Sequence, residues 1–466
     1  MFTSQGEQVE TNVGPKPVHT GMRLAIFAAL AVFSVTSFAQ PLPRKAVFGA
    51  QLLAPTAEQR TKANLKPQEG VALGNIIPNQ SAAAAGLKTG DILLTVDGTP
   101  VNSPQEFVRA FRTKTGKDKL ALSFVRDGKR EQKTIDLVER PKQQPDGFDV
   151  IYDQFDSLGK RIRIIITKPQ KPGKHPAVML IGGIGAYSVD GDFKNVAYGN
   201  IMEPVAKAGY VTVRIDKPGL GDSEGPIYTE LGFSVELDAY RQALKKLPSY
   251  DFIDAAKINI FGHSMGGAFG PILASEIKLN GVCVGGTVCK NWIEYFVENT
   301  RRQALLGGMP HAEVGDYIRR VAAFQHYLFY EGKTPEQIAK ERPELAETVR
   351  EQVPDGKTYS GVGLPFFQEL CKYNFEGLWS KVDAHLMSFW GENDFISTEE
   401  DHPMMVKIVN EKHPGKAEYV RLANSDHGFF KTTSFLDSLQ KWGRPGGEFN
   451  PNIVEALLKW LNKINK

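Results

Sequence analysis

Short, near-continuous apolar runs recur along the second half of the chain, at residues 177–181, 210–215, 258–261, 282–284 and 385–390. Segments with helical periodicity, such as 238–247, lie between them. A strand covered on both faces has no polar side to alternate with, so its sequence reads as an unbroken apolar run. Buried strands alternating with amphipathic helices predict an α/β fold: a mostly parallel sheet with helices on both faces. In such sheets reactive groups gather at the carboxyl ends of the strands.

The first half has a different texture. Residues 71–77 and 91–96 form short β-type runs between turn signals, Asp97-Gly98 above all. A helix is expected from a Ser103-Pro104 cap, carrying Phe107, Val108 and Phe111 on one side. "KLALSFVRDGKREQKTIDLV" adds two alternating strands joined at Asp127-Gly128, a dipeptide that reaches the positive φ values of a tight hairpin. These elements describe a small strand-rich domain over residues 44–141, ahead of an α/β domain over 149–466.

Two further segments complete the layout. "MRLAIFAALAVFSVTSFAQ" sets Arg23 before an apolar run and ends in small residues at Ser37 and Ala39, the pattern of a secretory signal peptide. The polar residues before Met22 lack a basic start, so translation is expected to begin at Met22, cleavage to follow Ala39, and the product to be periplasmic or secreted. The run is too short and too interrupted for a membrane span, leaving no stable membrane anchor once the signal is removed. Between residues 292 and 378, helices with interleaved aromatic and basic residues predict a helical cap. Trp292, Tyr295, Phe329 and Phe366 are read as packing between cap helices, with a lining role as the alternative. Arg301, Arg302, Arg319 and Arg320 are read as surface residues, with a substrate carboxylate as the alternative.

Composition narrows the partners. The 466 residues carry 56 Lys and Arg against 53 Asp and Glu, a balance too even to create the long-range field that nucleic acid or anionic lipid calls for. Small, roughly neutral substrates fit better. The three cysteines show no metal-ligand spacing. Cys283 and Cys289 are read as buried small hydrophobes; a disulfide between them would need the glycines at 285 and 286 to turn the chain back.

The chemistry centres on "INIFGHSMGGAFG". It reads as a strand, a sharp turn and a helix, with Ser264 at the apex and glycines at 262 and 266 where a side chain would obstruct the turn. The Met265 amide, opening the helix, is aimed where negative charge would develop on an attacked carbonyl. A serine hydroxyl is a weak nucleophile near neutral pH and needs a base oriented by an acid. "AHLMSFWGENDFIS" presents Asp394 at a strand tip, favoured over Glu392 and Asp426, and "AEYVRLANSDHGFF" presents His427 after another strand. The other histidines compete poorly; His263 adjoins the nucleophile and is expected to point away from it. Asp222 and Glu224 are read as loop structure.

Two resemblances follow from these residues. "SAAAAGLKTGDILLTVDG" resembles the central helix and strand of bacterial envelope PDZ domains. That likeness implies a groove for an extended peptide, with Phe48, Gly49 and Ala50 holding the peptide's terminal carboxylate. "VFGAQ" departs from that family's usual leucine-glycine-hydrophobic pattern. The serine, acid and histidine, in that order, resemble the α/β-hydrolase superfamily, as does "VTVRIDKPGLGDSEGP". In "VMLIGGIGAYS" the family's histidine-glycine pair appears as Gly182-Gly183, and the likeness implies Ile184 as the second oxyanion amide.

The expected protein is therefore a secreted serine hydrolase acting on carboxylic esters through Ser264, His427 and Asp394, with no metal or organic cofactor. Peptide cleavage, with the PDZ-like domain recruiting the polypeptide, is the alternative within enzymes; the layout also resembles secreted serine aminopeptidases. An inactive peptide-binding scaffold is the alternative of another class.

Overall fold

The computed structural model describes residues 41–191, 197–444 and 446–466, so the expected leader and signal peptide over 1–39 lie outside the described residues. An eight-stranded sheet runs in the spatial order Ala417–Leu422, His385–Gly391, Gly281–Gly285, Ile253–His263, His175–Ile181, Val211–Ile215, Lys160–Pro169 and Phe148–Ser157. The first six strands are parallel. The last two, which the apolar-run pattern did not single out, form an antiparallel edge.

The apolar runs are buried on both faces, as their unbroken pattern requires. Ala177, Met179 and Ile181 face one cluster, with the helices Phe233–Lys246 and Met265–Glu276, while Val178 and Leu180 face the opposite cluster, with Ala197–Lys207 and Asn452–Ile464. Alternate side chains of one strand thus serve two cores. All three cysteines are free thiols and buried, Cys283 within the sheet.

The topology fixes where chemistry can occur. From His175–Ile181 the chain crosses to a neighbour on one side, Val211–Ile215, and later returns on the other as Ile253–His263. Ile181 pairs with Gly262 in parallel register, so the loop after residue 181 and the turn at Ser264 leave the sheet side by side. This is the crevice that forms where strand order reverses. Between Trp292 and Trp379 the chain is largely helical, including Trp292–Leu306, His311–Gln325 and Leu364–Leu370.

Ahead of this lies a six-stranded antiparallel sheet, Ala50–Leu53, Val71–Ile76, Ile92–Val96, Lys119–Arg126 and Lys129–Asp136 in order, with Thr99–Pro100 beside Ile92–Val96. It has its own core, including Leu73, Leu93, Phe107 and Phe124. The Asp127-Gly128 hairpin turn has φ of 50° and 78°, as its sequence predicts. Helix Pro104–Phe111 begins at Ser103, whose hydroxyl accepts the Glu106 amide proton at 3.2 Å.

The described residues from 41 to 466 pack as one compact body, the small sheet against the α/β part. At the junction, Arg44 pairs with Asp190 and lies 2.8 Å from Asp222, and both carboxylates are fully buried. The Lys45 amide donates to the same Asp222 at 2.9 Å, and Arg163 approaches it at 3.3 Å. From helix Pro104–Phe111 and the residue after it, Arg109 pairs with Glu230 and Arg112 donates to the Gly225 carbonyl. Asp222 is loop structure, as expected, and Glu224 is held by Arg161 at 2.6 Å.

Removing one partner of a buried ion pair leaves the other charge without compensation. Arg44→Ala is expected to lower stability by roughly 3 kcal/mol, read as a shifted urea midpoint. An unchanged midpoint would mean that Asp190 and Asp222 are satisfied without it.

Candidate active site

The turn at Ser264 is built by close approach. Ser264 has φ 57° and ψ −125°, a conformation that side-chain-bearing residues rarely hold and that costs of order 1–3 kcal/mol. The glycines show why the turn tolerates nothing larger: a Cβ on Gly266 would lie 1.9 Å from the Ile181 carbonyl oxygen, and one on Gly262 would lie 2.6 Å from that of Gly266. The Ser264 amide donates to the Gly285 carbonyl at 3.0 Å, tying the bend to the adjacent strand.

His427 and Asp394 meet this serine. His427 Nε2 lies 3.0 Å from Ser264 Oγ, and His427 Nδ1 lies 2.8 Å from Asp394 Oδ2. The Asp394 carboxylate also accepts from the Ile396 amide at 2.8 Å, the Ser397 amide at 2.9 Å and the Ser397 hydroxyl at 2.6 Å. Burial alone would raise its pKa, but the nearby His427 and these hydrogen bonds outweigh burial and hold it down at about 2. An ionised carboxylate only accepts, so Nδ1 of His427 carries the proton and Nε2 is free to receive one from the serine.

Neither rival acid makes this contact. Glu392 accepts from the Asn424 amide, and Asp426 from the Phe430 amide. Arg302 differs from expectation: it is half-buried and donates to the Phe395 and Ile396 carbonyls at 2.6 and 2.9 Å, bracing the loop that carries Asp394. Arg301, Arg319 and Arg320 are exposed.

The loop after Ile181 is pinned group by group. Gly183 donates its amide to the Tyr198 hydroxyl at 2.7 Å, and Gly185 donates to Tyr228 at 2.6 Å. Among the described residues the Ile184 amide between them has no partner, and neither has that of Met265. A Cβ on Gly183 would lie 3.0 Å from the Ser264 Cβ, so this loop runs directly against Ser264.

His263 does not simply point away. Its Nε2 lies 2.8 Å from the His427 carbonyl, which can only accept, and its Nδ1 lies 2.9 Å from the Tyr198 hydroxyl. A neutral ring protonated at Nε2 satisfies both contacts, leaving Nδ1 to accept from Tyr198. Complete burial and repulsion from His427 push its pKa down to about 3.

A cavity of about 510 Å³ opens over Ser264. Its walls include Trp292, Tyr295, Phe296, Phe367, Phe395 and Trp442. Trp292 and Tyr295 therefore line the cavity as well as packing on each other, with rings 4.9 Å apart, while Phe329 and Phe366 are buried in the core. Sequence reasoning missed Tyr198 and Trp442, which come from a helix and a turn with no local mark of a site.

In the N-terminal unit, the Phe48 ring is buried against Phe107 and Phe111, at 4.7 and 5.7 Å. Gly49 has φ 79°, and Ala50 begins the edge strand Ala50–Leu53.

Comparisons with known proteins agree with this anatomy. A family model described as alpha/beta hydrolase fold matches residues 176–432, and one described as PDZ domain matches residues 54–137. The chain is similar to the periplasmic serine endoprotease DegP of Escherichia coli (strain K12), 31% identical over 83 residues that cover 18% of each protein. It is similar to dipeptidyl peptidase 8 of Mus musculus, 33% identical over 182 residues, 37% of this chain and 20% of that protein. The chain thus spans about a fifth of the length of these relatives. A solved structure of Est1E from Butyrivibrio proteoclasticus with ferulic acid covers 66% of this chain and 99% of its own, at 15% identity and a TM-score of 0.42. No helix among the described residues is long and apolar enough to cross a membrane.

The neutral His263 makes stability depend on pH. Its folded pKa of about 3 lies below the ordinary 6.5, so between those values the unfolded chain binds the extra proton. Stability contributed by this group is whole above about pH 6.5 and declines as pH falls, by up to about 1.4 kcal/mol per unit. Urea midpoints at pH 7, 6 and 5 should fall less steeply for His263→Gln than for the parent. Equal slopes would show that His263 is charged in the folded protein.

Proposed function

The chain belongs to the alpha/beta hydrolase fold family, and from that premise we propose that it is a secreted serine hydrolase acting on carboxylic esters through an acyl-enzyme. The observation that carries this reading is the 3.0 Å approach of His427 Nε2 to Ser264 Oγ, together with the 2.8 Å approach of His427 Nδ1 to Asp394 Oδ2. In the reaction, Ser264 Oγ attacks the ester carbonyl while His427 takes the hydroxyl proton. Asp394 keeps the imidazole in the receiving tautomer and stabilises its positive charge. The carbonyl oxygen becomes an oxyanion held by the Met265 and Ile184 amides. Collapse expels the alcohol, which leaves with the proton from His427, and the acyl group remains on Ser264. Water then attacks, His427 takes its proton, and a second collapse returns the proton to Ser264 and frees the acid.

The cavity walls guide the substrate class. Aromatic side chains dominate, and among the described residues lining the cavity none is Asp, Glu, Lys or Arg. An uncharged, bulky apolar or aromatic ester group is desolvated there without stranding a charge. Peptide cleavage is the second reading, favoured by the match to dipeptidyl peptidase 8 and by the PDZ model match. In that reading the N-terminal unit recruits a polypeptide, its terminal carboxylate held at Phe48, Gly49 and Ala50. A free α-ammonium of an aminopeptidase substrate would lack a carboxylate partner among those lining residues, which is why the ester reading leads. The signal-like leader and the similarity to periplasmic DegP support a periplasmic or extracellular site of action.

A fluorophosphonate probe should label the parent and not Ser264→Ala. Ser264→Ala and His427→Ala should each lower kcat for an aryl ester by on the order of 10⁶-fold, without loss of fold by circular dichroism. A well-folded parent that takes no label would sink the enzyme reading in favour of a peptide-binding scaffold. Turnover of aminoacyl amides without turnover of esters would replace the ester reading with the peptidase one.

A further inference from the structure

Lys217 follows the strand Val211–Ile215 and is buried, yet the proposed reaction leaves it without a role. Its ammonium donates to the Gly183 carbonyl at 2.7 Å and lies 3.0 Å from Glu236 Oε1. The rings of Tyr187 and Tyr228 flank it at 5.1 and 5.4 Å. The Tyr187 hydroxyl donates to the same Gly183 carbonyl at 2.8 Å. One backbone oxygen beside the nucleophile thus receives two buried donors, one of them a full positive charge.

That oxygen belongs to the peptide linking Gly183 to Ile184. The peptide is planar and trans, so its C=O and N–H point in opposite directions, and fixing the first aims the second. The amides on either side are taken, by Tyr198 and Tyr228, whereas the Ile184 N–H between them has no partner among the described residues. A charge on the carbonyl also draws electron density through the amide and strengthens its N–H as a donor.

Resting on the serine-hydrolase reading above, we propose that Lys217 is a positioning residue for the oxyanion hole, orienting and polarising the Ile184 amide through the Gly183 carbonyl. The lysine touches no reacting atom. Its effect is confined to states in which the substrate oxygen carries negative charge, so it acts on the transition state more than on bound substrate. Glu236 fixes the ammonium; its second oxygen is buried with no partner among the described residues, so deleting the lysine alone would strand a carboxylate.

The test is therefore a paired variant, Lys217→Met with Glu236→Gln, which removes both charges. Aryl-ester kcat is expected to fall about 10- to 100-fold with KM within about twofold, since a full oxyanion donor is worth roughly 10²–10³-fold and here the amide itself remains. Affinity for phenylboronic acid, whose serine adduct is tetrahedral and anionic, should fall by a similar factor. Should the pair fail to fold, Lys217→Gln with Glu236→Gln, likewise uncharged but with a side chain at 217 still able to donate, carries the same expectation at about 10-fold. A folded variant with parental kcat and boronate affinity overturns the proposal. So does a kcat loss with boronate affinity intact, because a merely structural role would give that result. A parent that the fluorophosphonate does not label marks failure of the hydrolase reading instead.

Discussion

The strained backbone of Ser264 is the constraint on which the rest of the site depends. Holding a serine at positive φ costs energy that nothing local returns, so the surrounding sheet has to enforce it. Enforcement comes from two neighbouring parallel strands, one feeding the bend and one taking its amide through Gly285, and from a helix packed so closely that Gly266 nearly touches the Ile181 carbonyl. The outcome is a hydroxyl displayed at a strand tip with the first free amide of a helix beside it. A relaxed turn would turn the hydroxyl away from His427 and remove Met265 from the loop that faces it.

Much of this was legible because it is local. The unbroken apolar runs marked buried strands, and the glycines around Ser264 marked a turn with no room for side chains. Asp394 and His427 were found because each follows a strand, the first of them apolar, and a parallel sheet brings such strand ends to one edge. What stayed hidden is long-range. The strands Phe148–Ser157 and Lys160–Pro169 form an exposed-side antiparallel edge and give no unbroken apolar run in the first of them. Tyr198, Lys217 and Trp442 look like ordinary residues of a helix, a loop and a turn; only the fold brings their polar atoms or rings to Ser264. Arg302 was misjudged because a basic pair on an amphipathic helix usually faces water, whereas here the partners are bare carbonyls of a distant loop.

The loop after Val211–Ile215 joins two parts of the molecule that the sequence presents as separate. Asp216 accepts from the Ser188 hydroxyl and the Val189 amide, fixing the far end of the loop after Ile181, while Lys217 and Tyr228 hold its near end. The same loop offers Asp222 to Arg44, the Gly225 carbonyl to Arg112 and Glu230 to Arg109. One face thus meets the small strand-rich domain and the other sets the backbone beside Ser264. Buried ion pairs are weak sources of net stability, but they tolerate little displacement, because any shift leaves a charge uncompensated. Their value at this junction is alignment.

The two neighbouring imidazoles show how burial assigns roles. The rings of His263 and His427 lie 4.8 Å apart. If both ionised, each would oppose the other, and Asp394 would have to serve two cations. Burial keeps His263 neutral, so the full field of the Asp394 carboxylate is available to a positive charge on His427. The neutral ring still has work, since its one N–H holds the His427 carbonyl and its bare nitrogen holds the Tyr198 hydroxyl, which in turn occupies the Gly183 amide. A charged His263 would have two N–H groups and no ring nitrogen to accept from Tyr198, disturbing the chain that runs from the His427 carbonyl to the Gly183 amide. Neutrality at one ring is therefore the condition both for charge at the other and for the geometry that the charge requires.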